Sequence, residues 1–313
     1  MVKLWRFIIA LLYLLPVETS GKKKTTFDFW SVELSIQQLF REIRETKDDS
    51  LAIKLHRQIE DVLAETLVIP ESYQYKFDSL RMMGRVFAPH KDFCIFNWNH
   101  SSLDGTYRYF ALIVLPGKKG EANRVIRLKE TTESIFRPDQ QILGTNQWIG
   151  CLYYKITPKK RGKDGKRYYT LLGLDMNNLK TKKKIIEILS FDPNGTPQFG
   201  APIIELNGWT KHRAIFEFSA QQSMYLEYNR CKRRIEMDHL APLMPYLVGE
   251  YEYYEPDLYR DALKFKGGRW KHIKDIQKPP KSKKLKKSSL PKPPKPSKQP
   301  YTKQNNVPLA VRM

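Results

Sequence analysis

From Asp49 to Leu67 the chain places Leu51, Leu55, Ile59, Leu63 and Leu67 at intervals of four, with charged and polar residues between them. That spacing collects the apolar positions on one side of an α-helix. Asp49 or Ser50 can cap its start, and Pro70 stops the pattern soon after Leu67. Just upstream, "FWSVELSIQQLFREI" sets Trp30, Leu34, Leu39 and Ile43 close to a second stripe. The segment 27–67 therefore predicts two helices, a hairpin with one apolar face. Neither helix can bury such a face alone, so the pair must dock on the rest of the protein or on a partner.

From about Val86 the pattern becomes one of short strands and turns. "FCIFNWN", "TYRYFALIVL", "RVIRLKE", "WIGCLYYKI", "RYYTLLGLD", "KKIIEILSF", "APIIEL", "HRAIFEFS", "SMYLEYN", "RRIEMDHL", "GEYEYYE" and "DALKFK" are rich in aromatic and branched residues. Between them fall Asp104-Gly105, Asp164-Gly165, Asn194-Gly195, Asn207-Gly208 and Gly267-Gly268. Such pairs supply the positive φ values that tight hairpins need. The expected fold is mainly β: an antiparallel meander forming a barrel-like or sandwich domain over 71–276, preceded by a helical hairpin over 21–70.

The two ends depart from this pattern. "MVKLWR" is basic, "FIIALLYLL" is nine apolar residues, and "PVETSG" closes on small ones. That order predicts a secretory signal peptide over 1–20, cleaved near Ser20 or Gly21. The apolar run is too short to span a bilayer as a helix, and no Cys follows it to carry a lipid. At the other end, the segment 277–313 holds ten Lys, one Arg and no acid. Half of the chain's formal charge of +22 is concentrated there. "KPPKSKKLKKSSLPKPPKPSKQP" has too little apolar surface to offset the entropy of ordering, so a disordered or polyproline-like basic arm is expected. An anionic envelope surface or another acidic polymer is its natural partner, the alternative being a solvated extension. Nucleic acid is disfavoured, because an export signal leads away from it and no DNA- or RNA-binding motif accompanies the charge.

Several motifs, taken together, resemble a known family. "FCIFNWN" followed by "DGTYRYF", "YYTLLGLDMNN", "KIIEILSF" with "GTPQFGAPI", "IFEFSA", "MYLEY", "IEMDHLAP" and "PDLYRDALKFKGGRW" are similar to the successive strand motifs of an uncharacterised family of exported proteins from Gram-negative bacteria. The resemblance covers roughly Asp92 to Trp270. It implies a β-rich fold and a periplasmic or outer-membrane-associated location, and it brings no catalytic residue, cofactor or substrate.

Candidate chemistry is sparse. Asp238 and His239 are adjacent, but neighbours on a strand point to opposite faces, so a His–carboxylate dyad needs a carboxylate from another strand. Strand alternation places His239 with Ile235 and Met237, which favours a buried or half-buried structural histidine. Asp175, Asn177 and Asn178 offer loop oxygens without the spacing of an EF-hand, so a turn cap is preferred to calcium. His100 and Asp104 are spaced for a hairpin rather than for zinc. Cys94, Cys151 and Cys231 match no metal spacing and read as buried small hydrophobes or as one disulfide with a thiol left over. No nucleophile elbow, metalloprotease, P-loop or dinucleotide motif is present, so no metal and no cofactor is implied. Trp98, Trp148, Trp209 and Trp270 are candidates for stacking on sugar rings, against the alternative that they fill a core.

The sequence thus reads as an exported cell-envelope protein with a non-enzymatic binding or assembly role. The alternative is an envelope hydrolase acting on peptidoglycan or polysaccharide, with His239, Asp175 or Glu205 converging on a cleft.

Overall fold

The computed structural model describes residues 27–277. The signal segment with its cleavage site, and the Lys/Pro segment from 278 onward, lie outside the described residues. Two helices open the fold, α1 (Phe29–Glu45) and α2 (Asp49–Leu67). Asp28 caps α1 by accepting from the Ser31 amide, and Asp48 caps α2 by accepting from the amides of Ser50 and Leu51. The cap of α2 thus falls one residue before Asp49, the earlier of the two expected.

The strands follow in order: β1 (Gly84–Phe87), β2 (Cys94–Ser101), β3 (Tyr107–Leu115), β4 (Arg124–Leu128), β5 (Leu152–Ile156), β6 (Lys160–Arg161), β7 (Arg167–Asp175) and β8 (Thr181–Phe191). Then come β9 (Pro197–Phe199), β10 (Ile204–Leu206), β11 (Trp209–Lys211), β12 (Ala214–Ser219), β13 (Leu226–Asn229), β14 (Arg234–Pro242), β15 (Tyr254–Lys266) and β16 (Arg269–Gln277). They form three sheets, β1-β2-β3-β4, β12-β8-β7-β5 and β11-β10-β16-β15-β14-β13. Every pairing is antiparallel except β10 with β16, and no sheet closes on itself into a barrel. All five Gly-containing turn pairs lie between consecutive strands with the glycine at positive φ. At Asn207-Gly208 both residues have positive φ, 52° and 83°, as a two-residue hairpin turn between β10 and β11 requires.

The layers stack four deep. Cys94, Phe96 and Trp98 of β2, with Phe110, Leu112 and Val114 of β3, face the helices. Their alternate neighbours Ile95, Ala111 and Ile113 face the second sheet, meeting Tyr153, Tyr169, Leu171, Ile185 and Leu189. The reverse face of that sheet, with Leu172, Ile186 and Ile188, meets Ile204, Leu226, Ile235, Met237, Leu263 and Trp270 of the third. The helical hairpin is one outer layer of the same compact unit as the strands.

Three expectations change here. In α1 the buried stripe is Phe29, Val32, Ile36 and Phe40, while Trp30 and Leu34 are exposed and Leu39 and Ile43 only flank the core. Two stripes of four apolar residues overlap in this helix, and the one that meets β2 and β3 is buried, each such side chain contributing on the order of 2 kcal/mol. "GEYEYYE" begins as a 3-10 turn, Tyr251–Tyr253, and enters β15 only at Tyr254. The three cysteines are free, with Cys94 and Cys151 buried as small hydrophobes but Cys231 exposed.

Candidate functional site

The expected site residues are distributed over the fold rather than gathered. Trp98, Trp148 and Trp270 are fully buried, and each indole N–H is bonded: to His56 Nδ1, to the Tyr153 hydroxyl and to the Thr170 hydroxyl. They are core residues and offer no ring face to a sugar. Trp209 on β11 is the exception, 73% exposed beside its hairpin turn. Glu205 on β10 is held by Arg269 and Lys271. It lies three strand spacings from His239 within the third sheet, and register sets it level with Arg234, five residues short of His239, so their backbones are well over about 14 Å apart. Asp175 belongs to the second sheet. The three do not converge.

His239 is not buried among aliphatics. The alternation of β14 holds through Met237 and breaks at a bulge, where Asp238 pairs with Arg260 but Leu240 pairs with Pro256. His239 alone therefore opposes Asp257, Leu258 and Tyr259, and the strand's face is reset. Its side chain is 49% exposed, and Nδ1 lies 2.7 Å from Asp257 Oδ2. The carboxylate does come from another strand, as a dyad would need.

That bulge is the root of a long excursion. Between Leu243 and Tyr259 the chain leaves β14, makes two 3-10 turns and returns in β15. Of the twenty large hydrophobic side chains exposed among the described residues, eight fall in these seventeen positions: Leu243, Met244, Tyr246, Val248, Tyr251, Tyr253, Leu258 and Tyr259. The same stretch carries Glu250, Glu252, Glu255 and Asp257 and no Lys or Arg. Leu258, at φ 70°, is 74% exposed, and Tyr246 is 81% exposed. Exposed apolar side chains are ordinary when scattered, and informative when packed into one segment.

A second arrangement lies in the middle sheet. Strand register sets Lys183 of β8 directly opposite Asp175 of β7 on one side and Glu217 of β12 on the other. Directly opposed residues share a face, so the three make one row. Asn177, in the left-handed region at φ 53°, ties the row together. Its amide donates to Asp175 Oδ1, its Oδ1 accepts from Lys183 Nζ, and its Nδ2 donates to Glu217. Asn178 caps the same turn by accepting from the amides of Lys180 and Thr181, the capping role expected of this loop. Asp175 also accepts from the Tyr109 hydroxyl of the first sheet at 2.9 Å. Burial pushes the Asp175 carboxyl above the usual carboxylate range, against the pull of these hydrogen bonds and of Lys183.

The row borders a cavity of about 200 Å³ that Thr132, Pro138, Ile149, Ile185 and Ile215 complete. Its Pro138 edge is fixed by Arg213, a fully buried guanidinium that donates to the carbonyls of Pro138, Gln141 and Phe199 and to Glu187 at 2.8 Å. A larger open groove, about 640 Å³, runs between Trp30 and the segment 74–81. Its buried carboxylate, Glu33, is already bonded to the Tyr75 hydroxyl and the Ser79 amide. Among the described residues no His, Cys, Asp and Glu are grouped as metal ligands, and no helix is long and apolar enough to cross a membrane.

Lys183 and Glu217 escaped sequence reasoning because only strand register brings them to Asp175. The 243–259 excursion carries a local signal, since "LMPYLVGEYEYYEPDLY" combines apolar density with Pro and Gly, but only "GEYEYYE" within it was assigned, as a strand. Fold and surfaces together define a layered β-sandwich protein with helices on one outer face. No protein-family model, curated protein or solved structure matches the chain.

Proposed function

We propose that the chain is an exported cell-envelope protein, periplasmic or outer-membrane-associated, whose work is non-enzymatic binding or assembly through two surfaces of opposite charge. The observation that carries this reading is the 243–259 excursion, where eight aromatic and aliphatic side chains are left in water in a segment that has four carboxylates and no Lys or Arg. A fold gains nothing from that arrangement, whereas an interface uses aromatics as anchors. Its charge of −4, on a chain of +22, suits a basic protein face or an extended basic peptide. Export rests on the residues of 1–20, and the Lys/Pro segment supplies the second surface, for anionic lipid head groups or another acidic polymer.

The experiment offers the full chain two probes across a salt series: a Lys/Pro/Leu peptide and vesicles containing anionic lipid. Both should bind, and both should weaken as salt rises. The double variant Glu250→Lys with Tyr246→Ser should lose the peptide and keep the vesicles. Peptide binding that is absent, or unchanged in that variant, removes the excursion as a binding surface; vesicles that fail to sediment the full chain remove the anionic one.

A further inference from the structure

We propose that the cavity beside Asp175, Lys183 and Glu217 binds a small zwitterion, an α-amino acid with an aliphatic side chain. The row alternates negative, positive, negative across three adjacent strands. A simple cation entering it would meet the Lys183 ammonium, and a simple anion would meet two carboxylates. A molecule carrying both charges on neighbouring atoms satisfies both kinds of group, because directly opposed side chains begin only about 5 Å apart.

Two unused bonding positions indicate where each end goes. Asp175 is 3% exposed, yet both of its hydrogen bonds fall on Oδ1, and among the described residues no donor reaches Oδ2. Asp175 lines the cavity, and a ligand ammonium there would give Oδ2 a charge-assisted donor. Lys183 has three donors. One goes to Asn177 Oδ1 at 2.7 Å, and Glu217 Oε2 at 3.9 Å is beyond hydrogen-bond reach. Donors therefore remain for a ligand carboxylate. Glu217 is fixed by the Thr181 hydroxyl at 2.6 Å and closes the far end of the row.

The remaining wall selects the side chain. Ile185 and Ile215 flank Lys183 and Glu217 on the same sheet face. With Ile149 and Pro138 they make the rest of the lining apolar apart from Thr132, whose hydroxyl oxygen already accepts from the Gly150 amide, which suits a branched aliphatic group. At about 200 Å³ the space lies below the range of sites for drug-sized ligands, which run from roughly 300 to 1,000 Å³. Disaccharides and nucleotides are too large for it.

The test is calorimetry on the full-length protein with L-valine and L-leucine, alongside isobutylamine and isovalerate, which each lack one charge. The amino acids should bind saturably, and loss of either charge should weaken binding by at least about tenfold. Asp175→Asn and Lys183→Met should each abolish it, with circular dichroism reporting whether the variants fold. Ile215→Trp, which fills the cavity and leaves the charged row intact, should abolish it as well. Absence of heat with either amino acid at millimolar concentration overturns the proposal. So does binding of isobutylamine as tight as that of L-valine, which would make this a cation site, and so does full binding by folded Asp175→Asn or Ile215→Trp.

Discussion

The middle sheet and the 243–259 excursion use the same residue types to opposite ends. In β7 and β8, Tyr168, Tyr169, Leu171, Leu172, Ile185, Ile186 and Ile188 are buried, because cores lie on both faces of the sheet. Polar groups admitted there are bonded: Glu187 to Arg213, Thr170 to Trp270, Asp175 to Tyr109. In the excursion, tyrosines, leucines and a valine face water. An aromatic in the first setting is accounted for by the fold alone. In the second it costs solubility without adding packing, so its retention calls for a partner.

The largest expected effect belongs to the interior. Arg213 and Glu187 have side chains 0% and 1% exposed, so neither charge can be hydrated if the other is removed. Arg213→Met should destabilise the protein by about 3–5 kcal/mol in denaturant unfolding, since it strands a buried carboxylate and frees three carbonyls. Burial already pushes the Glu187 carboxyl up, and Arg213 pulls it down. The double variant Arg213→Met with Glu187→Leu should recover part of the loss. A single variant that costs under 1 kcal/mol would show that the middle layers tolerate what the excursion tolerates.

Next comes a pH effect at the helix–sheet interface. His56 on α2 is 1% exposed, stacked on Phe110, with Nδ1 accepting from Trp98 and Nε2 left without a partner. Burial, reinforced by neighbouring His100 and Arg57, lowers its pKa from 6.5 to about 3. The folded state thus keeps this ring neutral while the unfolded chain takes up a proton. Stability from this group is present above about 6.5 and is lost as pH falls toward 3, with on the order of 2 kcal/mol gone by pH 5. His56→Asn, which keeps an acceptor near Nδ1, should flatten the decline in melting temperature between pH 7 and pH 5. An unchanged slope would mean that other groups set the acid limb.

These two regions also mark how far the sequence could be read. "RYYTLLGLD" and "KKIIEILSF" are nearly continuous apolar runs, the mark of strands covered on both faces, and β7 matches its expected span residue for residue. β16 was missed because "RWKHIKDIQ" buries only Trp270, so its sequence carries no such run. Trp30 and Leu34 were placed inward because helix periodicity does not say which of two overlapping stripes meets the sheet. His239 was placed inward because strand parity is the only local rule available, and a bulge depends on the partner strand, here on three residues of β15. The row Asp175, Lys183 and Glu217 depends on register alone, and no local pattern encodes that.

The smallest expected effect is the one that sharpens the contrast most. Tyr246 and Leu258 are 81% and 74% exposed, so replacing both with Ser removes little buried area. Surface substitutions of this kind usually change stability by less than about 0.5 kcal/mol. The double variant should therefore unfold within that margin of the parent in urea, with an unchanged m-value, because the same surface is exposed on unfolding. If the excursion is kept for binding, its aromatics are dispensable to folding. A loss of 2 kcal/mol or more would mean that these side chains pack in solution, and the distinction between an interior that holds the fold and an excursion that faces a partner would fail at the residues chosen to define it.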